Sequence, residues 1–504
     1  MNQLLCITAL LISQTQETSK PTTSDSVGWA LSDLAQVPAA DRQWQRFIWI
    51  PPWGDEKWIA AVNFTVNSAV SHASVIQLGT ASANGWLLRY DLRRLVKSEA
   101  QLIRLINVWD SLALQDPYFH VTDVALGIPT NKKQQPQIPR AVIAPHLKQR
   151  EAVALAGLSI STGAVYRADF FIFKALSTLE GGVYYDFLQV DRKPTSPNKN
   201  SPPLNPQANW LSTLGVFEDT TKSISADQRS AIFRSNVTGK PRRIDVFYGL
   251  GRGGNLVTIT HDIADEDIEA GQHPIRNLLA FDDRAREVIV ERPNGTHAFA
   301  LFDDNGIFQD SVPDNVATDH LIPAPHTKRL QPAIGCIRCH GPHDGYQPFS
   351  NDVQTILRSR LDVFSDLALA AKVSREQIID QLAGLYAGQL DLPDAPIGRG
   401  RRDYSATVYK ITGETYPAET SPVLAVSAHV SDIYNSYRYL PVTPQQAAIE
   451  LGIKSLDELQ TDLNSPIDPI EGTLRAGISV NRSDFEHAFT DLSIKALKSQ
   501  EKKE

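Results

Sequence analysis

Gly335-Cys336-Ile337-Arg338-Cys339-His340 is the stretch from which this chain is read. Its letters are Cys-x-x-Cys-His, the attachment signature of a covalently bound c-type haem. Two thiols add across the haem vinyl groups as thioethers, and the next residue supplies an imidazole to the iron. Two intervening residues bring both sulfurs to one edge of a porphyrin, with the adjacent His beneath the ring. The expected cofactor is therefore one haem c, with Cys336 and Cys339 as attachment points and His340 as the proximal iron ligand. With 3 Cys and 12 His in 504 residues, chance rarely produces this spacing. A dithiol redox pair would want a thioredoxin-like βαβ setting, and a zinc site a second Cys or His pair at matching spacing. Neither is present, since the remaining cysteine is Cys6.

The composition sets the frame around that motif. A length of 504 residues predicts about three domains, or two with long insertions. Hydrophobic residues make up 42% and charged residues 21%, enough for a buried core and too few charges for a disordered chain. The formal net charge of −8 argues against nucleic acid as a main partner. Haem is attached to such motifs outside the bacterial cytoplasm, so the motif implies a periplasmic or exported protein. The apolar run Leu4 to Ile12 reads as a poor signal peptide, lacking Lys or Arg before it and a small-residue cleavage site after it. No other stretch approaches the length of a membrane span, so no integral membrane segment is expected.

The fold class expected is α+β: a mixed, β-rich N-terminal region followed by a mostly helical, cytochrome-c-like C-terminal domain. Residues 1–28 form the signal peptide and flexible leader, and 29–190 an α+β domain. Residues 191–210 are a Pro- and Asn-rich linker or loop, 211–320 a β-rich region, and 321–504 the haem domain. Gly85 to Leu92 looks like a strand. Ser98 to Leu114 is an amphipathic helix, opened by a Ser98/Gln101 capping box, with Leu102, Ile103, Ile106 and Trp109 recurring on one face. Glu287 to Arg292 and His297 to Phe302 flank Pro293-Asn294-Gly295-Thr296, a strong hairpin signal, and Asp303-Asp304-Asn305-Gly306 is the next turn. Beyond the motif, Val353 to Phe364 carries an apolar stripe. Capping boxes at Ser374/Gln377 and Thr443/Gln446 and the pair Ser455/Glu458 mark three further helix starts.

Other candidate sites are weaker. Gly249-Leu250-Gly251-Arg252-Gly253-Gly254 has the letters of a dinucleotide fingerprint, but Leu256 to Thr260 reads as a strand where a helix should begin, so a hairpin turn is expected. No Gly-x-Ser-x-Gly elbow occurs. Met1 is the only methionine, so His/Met ligation is not expected. A second His, another donor or an open distal position remains. His429, well after the motif, is the candidate distal ligand, with His326 and His320 behind it; His343 is too close to His340 to reach across the ring. Two strong axial ligands would leave outer-sphere electron transfer, with a redox partner protein still to be identified. An open site would instead permit peroxidase-like oxidoreductase chemistry or a haem-based sensor.

The chain resembles a group of large single-haem, cytochrome-c-domain-containing proteins of the bacterial envelope. The likeness is carried by GWLLRYDLRRL (Gly85 to Leu95), VYRADFF (Val165 to Phe171), ERPNGTHAFALFDDNG (Glu291 to Gly306), GCIRCH (Gly335 to His340) and AAIELGI (Ala447 to Ile453). What the resemblance implies is haem binding and electron transfer in the periplasm, with Cys336, Cys339 and His340 the residues to which chemistry carries over.

Overall fold

A computed structural model describes residues 29–69, 79–81, 86–118, 165–192, 228–248, 256–263, 283–346, 396–459 and 468–501, and the isolated residues 207, 210, 211, 374, 376 and 377. Short gaps fall at 31, 191, 233–234, 236–237, 313–316 and 418. The expected leader, most of the 191–210 linker, the 249–255 glycine turn and the 353–364 stripe lie outside the described residues.

The first sheet and its helices come from β1 (Gln45–Trp49), α1 (Glu56–Ala69), β2 (Thr80–Ala81), β3 (Leu87–Asp91), α2 (Glu99–Gln115), β4 (Val165–Arg167), α3 (Ala168–Ala175) and α4 (Tyr184–Phe187). Its strand order is β2-β3-β1-β4, with β1 antiparallel to β3 and parallel to β4. β1 is central because Phe47, Ile48 and Trp49 are apolar and buried on both faces. α2 starts where the capping box placed it: Ser98 Oγ accepts from the Gln101 N–H, while the Gln101 side chain accepts from the Lys97 N–H.

A second sheet follows, formed by β5 (Gln228–Ile232), β6 (Arg242–Tyr248), β7 (Leu256–Asp262), β8 (Ala285–Glu291) and β9 (His297–Asp303). It is an antiparallel meander in that order. The expected Asn294-Gly295 hairpin joins β8 to β9, with Gly295 at φ +81°, a conformation glycine adopts without a Cβ penalty. The turn is pinned from below: Asn294 Nδ2 and Thr296 Oγ1 both donate to the Asn67 carbonyl at the end of α1. The free edge of β9 is covered, since the Tyr184 and Tyr185 hydroxyls accept from the Phe299 and Leu301 N–H groups.

The remaining described elements are helical: α5 (Ile334–His340), α6 (Pro396–Thr412), α7 (Pro422–Tyr439), α8 (Pro444–Glu450), α9 (Pro469–Arg475) and α10 (Arg482–Glu501). The molecule is thus α+β, as its sequence pattern implies. α8 begins at Thr443, whose hydroxyl accepts from the Gln446 N–H, with Pro444 at the first helical position. Ser455 opens only a 3-10 turn (Leu456–Glu458), because Leu459 turns extended and gives its carbonyl to Arg475. Ser374 and Gln377 do exchange both capping-box bonds.

One apolar core runs from Ala30 to Ala496, with members from both sheets and the C-terminal helices. α7 packs against α1, α3, α5, α6 and α10. A buried ionic group ties the first sheet to the C-terminal helices: Arg167 at the end of β4 bonds Asp169 and Glu450, and Glu450 also meets Arg482 of α10. No described helix is long and apolar enough to cross a membrane.

Candidate functional site

The Cys-x-x-Cys-His residues occupy α5, a helix of only seven residues held on all sides. Ala333, immediately before it, has φ +62°, a backbone region costly for a residue with a Cβ. Arg338, in the middle of the motif, points at α7: its Nε donates to Ser431 Oγ at 2.7 Å, and its other nitrogens pair with Asp319 and Asn435. Gly341 then lets the chain touch α7, since a Cβ there would come within 2.3 Å of Ser427 Oγ. The motif is therefore clamped to α7 by one guanidinium and one missing side chain.

The opposite wall is one face of the second sheet. Register pairs Arg242 with Asp262, Ile289 with Phe299 and Glu291 with His297, and strand alternation puts Glu287 on that same face. The Cys336 thiol donates to Glu287 Oε1 at 3.3 Å, and His340 Nε2 stands 3.4 Å from the same oxygen. Arg242 approaches the other oxygen at 3.6 Å while bonded through two nitrogens to Asp262, at 2.5 and 3.0 Å. Burial by itself would push the Glu287 carboxyl up. The hydrogen bond and charge of His340, with the Arg242 guanidinium, outweigh it and hold the acid at about 2. Burial, then the Glu287 charge, pushes the Cys336 thiol well above its ordinary value. A reactive dithiol needs the opposite shift, so the site does not fit a redox pair. Neither Cys336 nor Cys339 is in a disulfide, and among the described residues no group of three or more His, Cys, Asp or Glu could hold a metal ion by itself.

Beyond Phe299, whose ring centre is 5.7 Å from that of His340, lies His297 at the start of β9. It is buried, with its ring stacked on Tyr404 at 3.9 Å and 7° and edge-on to Tyr346 at 4.7 Å. Among the described residues neither of its ring nitrogens has a hydrogen-bond partner, and neither has His340 Nδ1. Burial first, then the nearby His340 charge, pushes the His297 imidazolium down to about 3, so the ring is neutral.

Cys336, Cys339 and His340 are thus brought to one wall, facing a sheet. The other sequence candidates are not brought to them. His429 lies on α7 two residues beyond Ser427, about 200° round the helix from the face that meets the motif, and is edge-on to Tyr416 at 6.1 Å. The expectation that it reaches the motif is corrected on that ground: Ser427 and Ser431 hold the inward face. His326 Nε2 is 3.3 Å from the Tyr439 carbonyl, and His320 is exposed. The site is also not confined to the helical part of the chain, because Glu287, Arg242 and His297 come from the sheet. Sequence reasoning missed all three, although alternation in β7 offered a signal: Thr258, Thr260 and Asp262 share one polar face of the strand.

Comparison with known proteins finds no match for the chain among family models, curated proteins or solved structures. The donor types and their spacing are those of the attachment signature: two thiols outside any disulfide, one imidazole directly after them, and an aromatic ring beside it. One contact has to change, for Glu287 now occupies the position facing His340 Nε2.

Proposed function

We propose that this chain is a single-haem c-type cytochrome of the bacterial envelope that works in electron transfer. Cys336 and Cys339 would hold haem c through thioethers, and His340 Nε2 would bind its iron. The observation that carries the reading is the Cys-x-x-Cys-His sequence on one short helix, with neither cysteine in a disulfide. When bound, the group supplies one-electron oxidation and reduction. The chain does the rest. Arg338 fixes the rotation of α5 against α7, and so aims His340 away from α7 and toward the sheet. Glu287, released from Nε2, keeps Arg242 as a countercharge inside the site. Phe299 and the neighbouring tyrosines exclude water, which favours electron transfer over reaction with solvent-borne ligands. An exported location and a partner redox protein belong to the same proposal.

The test is to purify the full chain from a host with haem-attachment machinery and stain for haem after denaturing electrophoresis. Haem that stays with the wild-type chain, and is lost from a Cys336→Ser, Cys339→Ser variant, supports the proposal. A wild-type chain made under those conditions without covalent haem refutes it.

A further inference from the structure

We propose that Asp116 and Glu486 form a proton-operated latch: with protons bound they hold residues 116–118, just after α2, against the start of α10, and loss of those protons loosens that contact. The proposal does not depend on the haem reading.

Charge does not balance in the buried group around Tyr118. Arg167 and Arg482 are its guanidiniums, and Asp116, Asp169, Glu450 and Glu486 its carboxylates. Direct pairing goes to two of the four acids: Arg167 holds Asp169 at 2.6 Å and Glu450 at 2.7 Å, and Arg482 holds Glu450 at 2.7 Å. The ammonium of Lys174 on α3 turns to the Glu180 carbonyl at 2.7 Å. Among the described residues this leaves Asp116 and Glu486 without an ion pair.

The geometry at each of the two accommodates a proton. Asp116 is 1% exposed; its Oδ1 accepts from the Tyr118 N–H at 2.9 Å, and its Oδ2 has no hydrogen-bond partner among the described residues. A bare buried oxygen costs far less in a neutral acid than in a carboxylate. Glu486 Oε1 accepts from the Tyr118 hydroxyl at 3.1 Å and from the Tyr437 hydroxyl, so one oxygen ties residues 116–118, α7 and α10 together. Arg482 Nη1 donates to the Tyr118 hydroxyl at 3.1 Å, and Phe489 stands edge-on to the Tyr118 ring at 4.8 Å. Glu486 is half-buried, which gives its proton a way to water. Burial pushes Asp116 well up, and the Glu486 and Asp169 charges add to it. Burial raises Glu486 too, and neither the Tyr437 bond nor the Arg482 and Arg167 charges cancel the rise. With folded-state values above the ordinary 3.8 and 4.5, the latch contributes fully below those values and weakens as pH rises through the raised ones.

The experiment is hydrogen exchange of the full chain between pH 5 and pH 8, corrected for intrinsic rate, comparing residues 482–489 with β1. In the wild type, opening of 482–489 relative to β1 rises about tenfold or more over that range, since release of one proton shifts an equilibrium by about tenfold per pH unit. The double variant Asp116→Asn, Glu486→Gln, whose amides stand for the neutral acids, removes the rise. Should it fail to fold, the single variants are read instead, and each lowers the slope. A flat wild-type ratio overturns the proposal. So does a rise that persists in the double variant, or single variants that both keep the wild-type slope; either assigns the titration to another group, such as Lys174, which burial pushes down.

Discussion

Replacing Glu450 by Gln is expected to cost about 3–5 kcal/mol of folding stability at neutral pH, the range for leaving a buried charge without its partner. Glu450 has a fully buried side chain. Oε2 lies 2.7 Å from Arg167 Nη1, both oxygens lie 2.7 Å from Arg482 Nη1, and Gln446 donates to Oε1 at 2.9 Å. Arg167 is equally buried, its guanidinium 3.7 Å above the Tyr118 ring. In Glu450→Gln, Asp169 is left to balance Arg167 while Arg482 loses the carboxylate it is paired with. A second route gives a similar figure. Burial alone would raise the Glu450 acid, but Arg167 and Arg482 outweigh it and lower it from 4.5 to about 2. That difference of about 2.5 units, at about 1.36 kcal/mol each, is about 3 kcal/mol. Because the folded-state value is depressed, this contribution is complete above pH 4.5 and is lost as pH falls toward 2. Urea unfolding of both proteins between pH 7 and pH 3 reads it, since every other carboxylate is common to the pair. The two curves should converge in acid. A loss under about 1 kcal/mol at pH 7, or a difference that does not shrink in acid, would show that the ionic group does not hold β4 to the C-terminal helices as argued. Exchanging the pair for apolar residues, Glu450→Leu with Arg482→Met, should cost less than Glu450→Gln alone.

Two other outcomes follow from groups that frame the site. Burial, with the Asp403 charge adding to it, raises the Glu291 carboxyl from 4.5 to about 7, so the folded state keeps its proton longer than the unfolded one. Its effect on stability is therefore most favourable below pH 4.5 and declines by up to about 3 kcal/mol as pH rises through 7; Glu291→Gln should abolish that decline, and unfolding midpoints at pH 5 and pH 8 that move equally in both proteins would contradict it. Arg338→Met leaves Asp319, whose side chain is 6% exposed, without its guanidinium and should destabilise by about 3–5 kcal/mol, measured by urea unfolding. Adding Asp319→Leu should recover part of that loss; no recovery would show that the pairing is incidental.

Local signals in this sequence translated into local structure because their partners lie a few residues away. The Ser98 box starts α2, Thr443 and Pro444 start α8, and Asn294-Gly295 turns β8 into β9. The motif itself was legible for the same reason, all its donors falling within five residues. The remainder of the site was not, because it is assembled across the fold. Glu287 sits in Arg-Glu-Val-Ile-Val-Glu, an apolar run flanked by charged residues that reads as a strand with its charged ends in water. Its face is instead covered by α5, an element some fifty positions further on, and no periodicity in β8 records that cover. His297 looks like the first residue after a turn, and its burial comes from Tyr346 and Tyr404 packing on it. His429 failed for the converse reason: it lies on a helix that does meet the motif, but helical phase, fixed by Ser427 and Gly341, turns it away.

The position of Cys336 also imposes an order of events in biosynthesis. Its residue is 5% exposed and its sulfur is closed in by Glu287 and the sheet behind it. No reagent as large as a porphyrin reaches that sulfur once β8 and α5 have met. Were haem attached as proposed, thioether formation would have to act on the open chain, and a chain that folds first would be committed to a buried thiol. In a pulse-labelled preparation, protein that folds unmodified would form a dead-end pool, so haem supply during synthesis, and not afterwards, would set the yield of finished molecules.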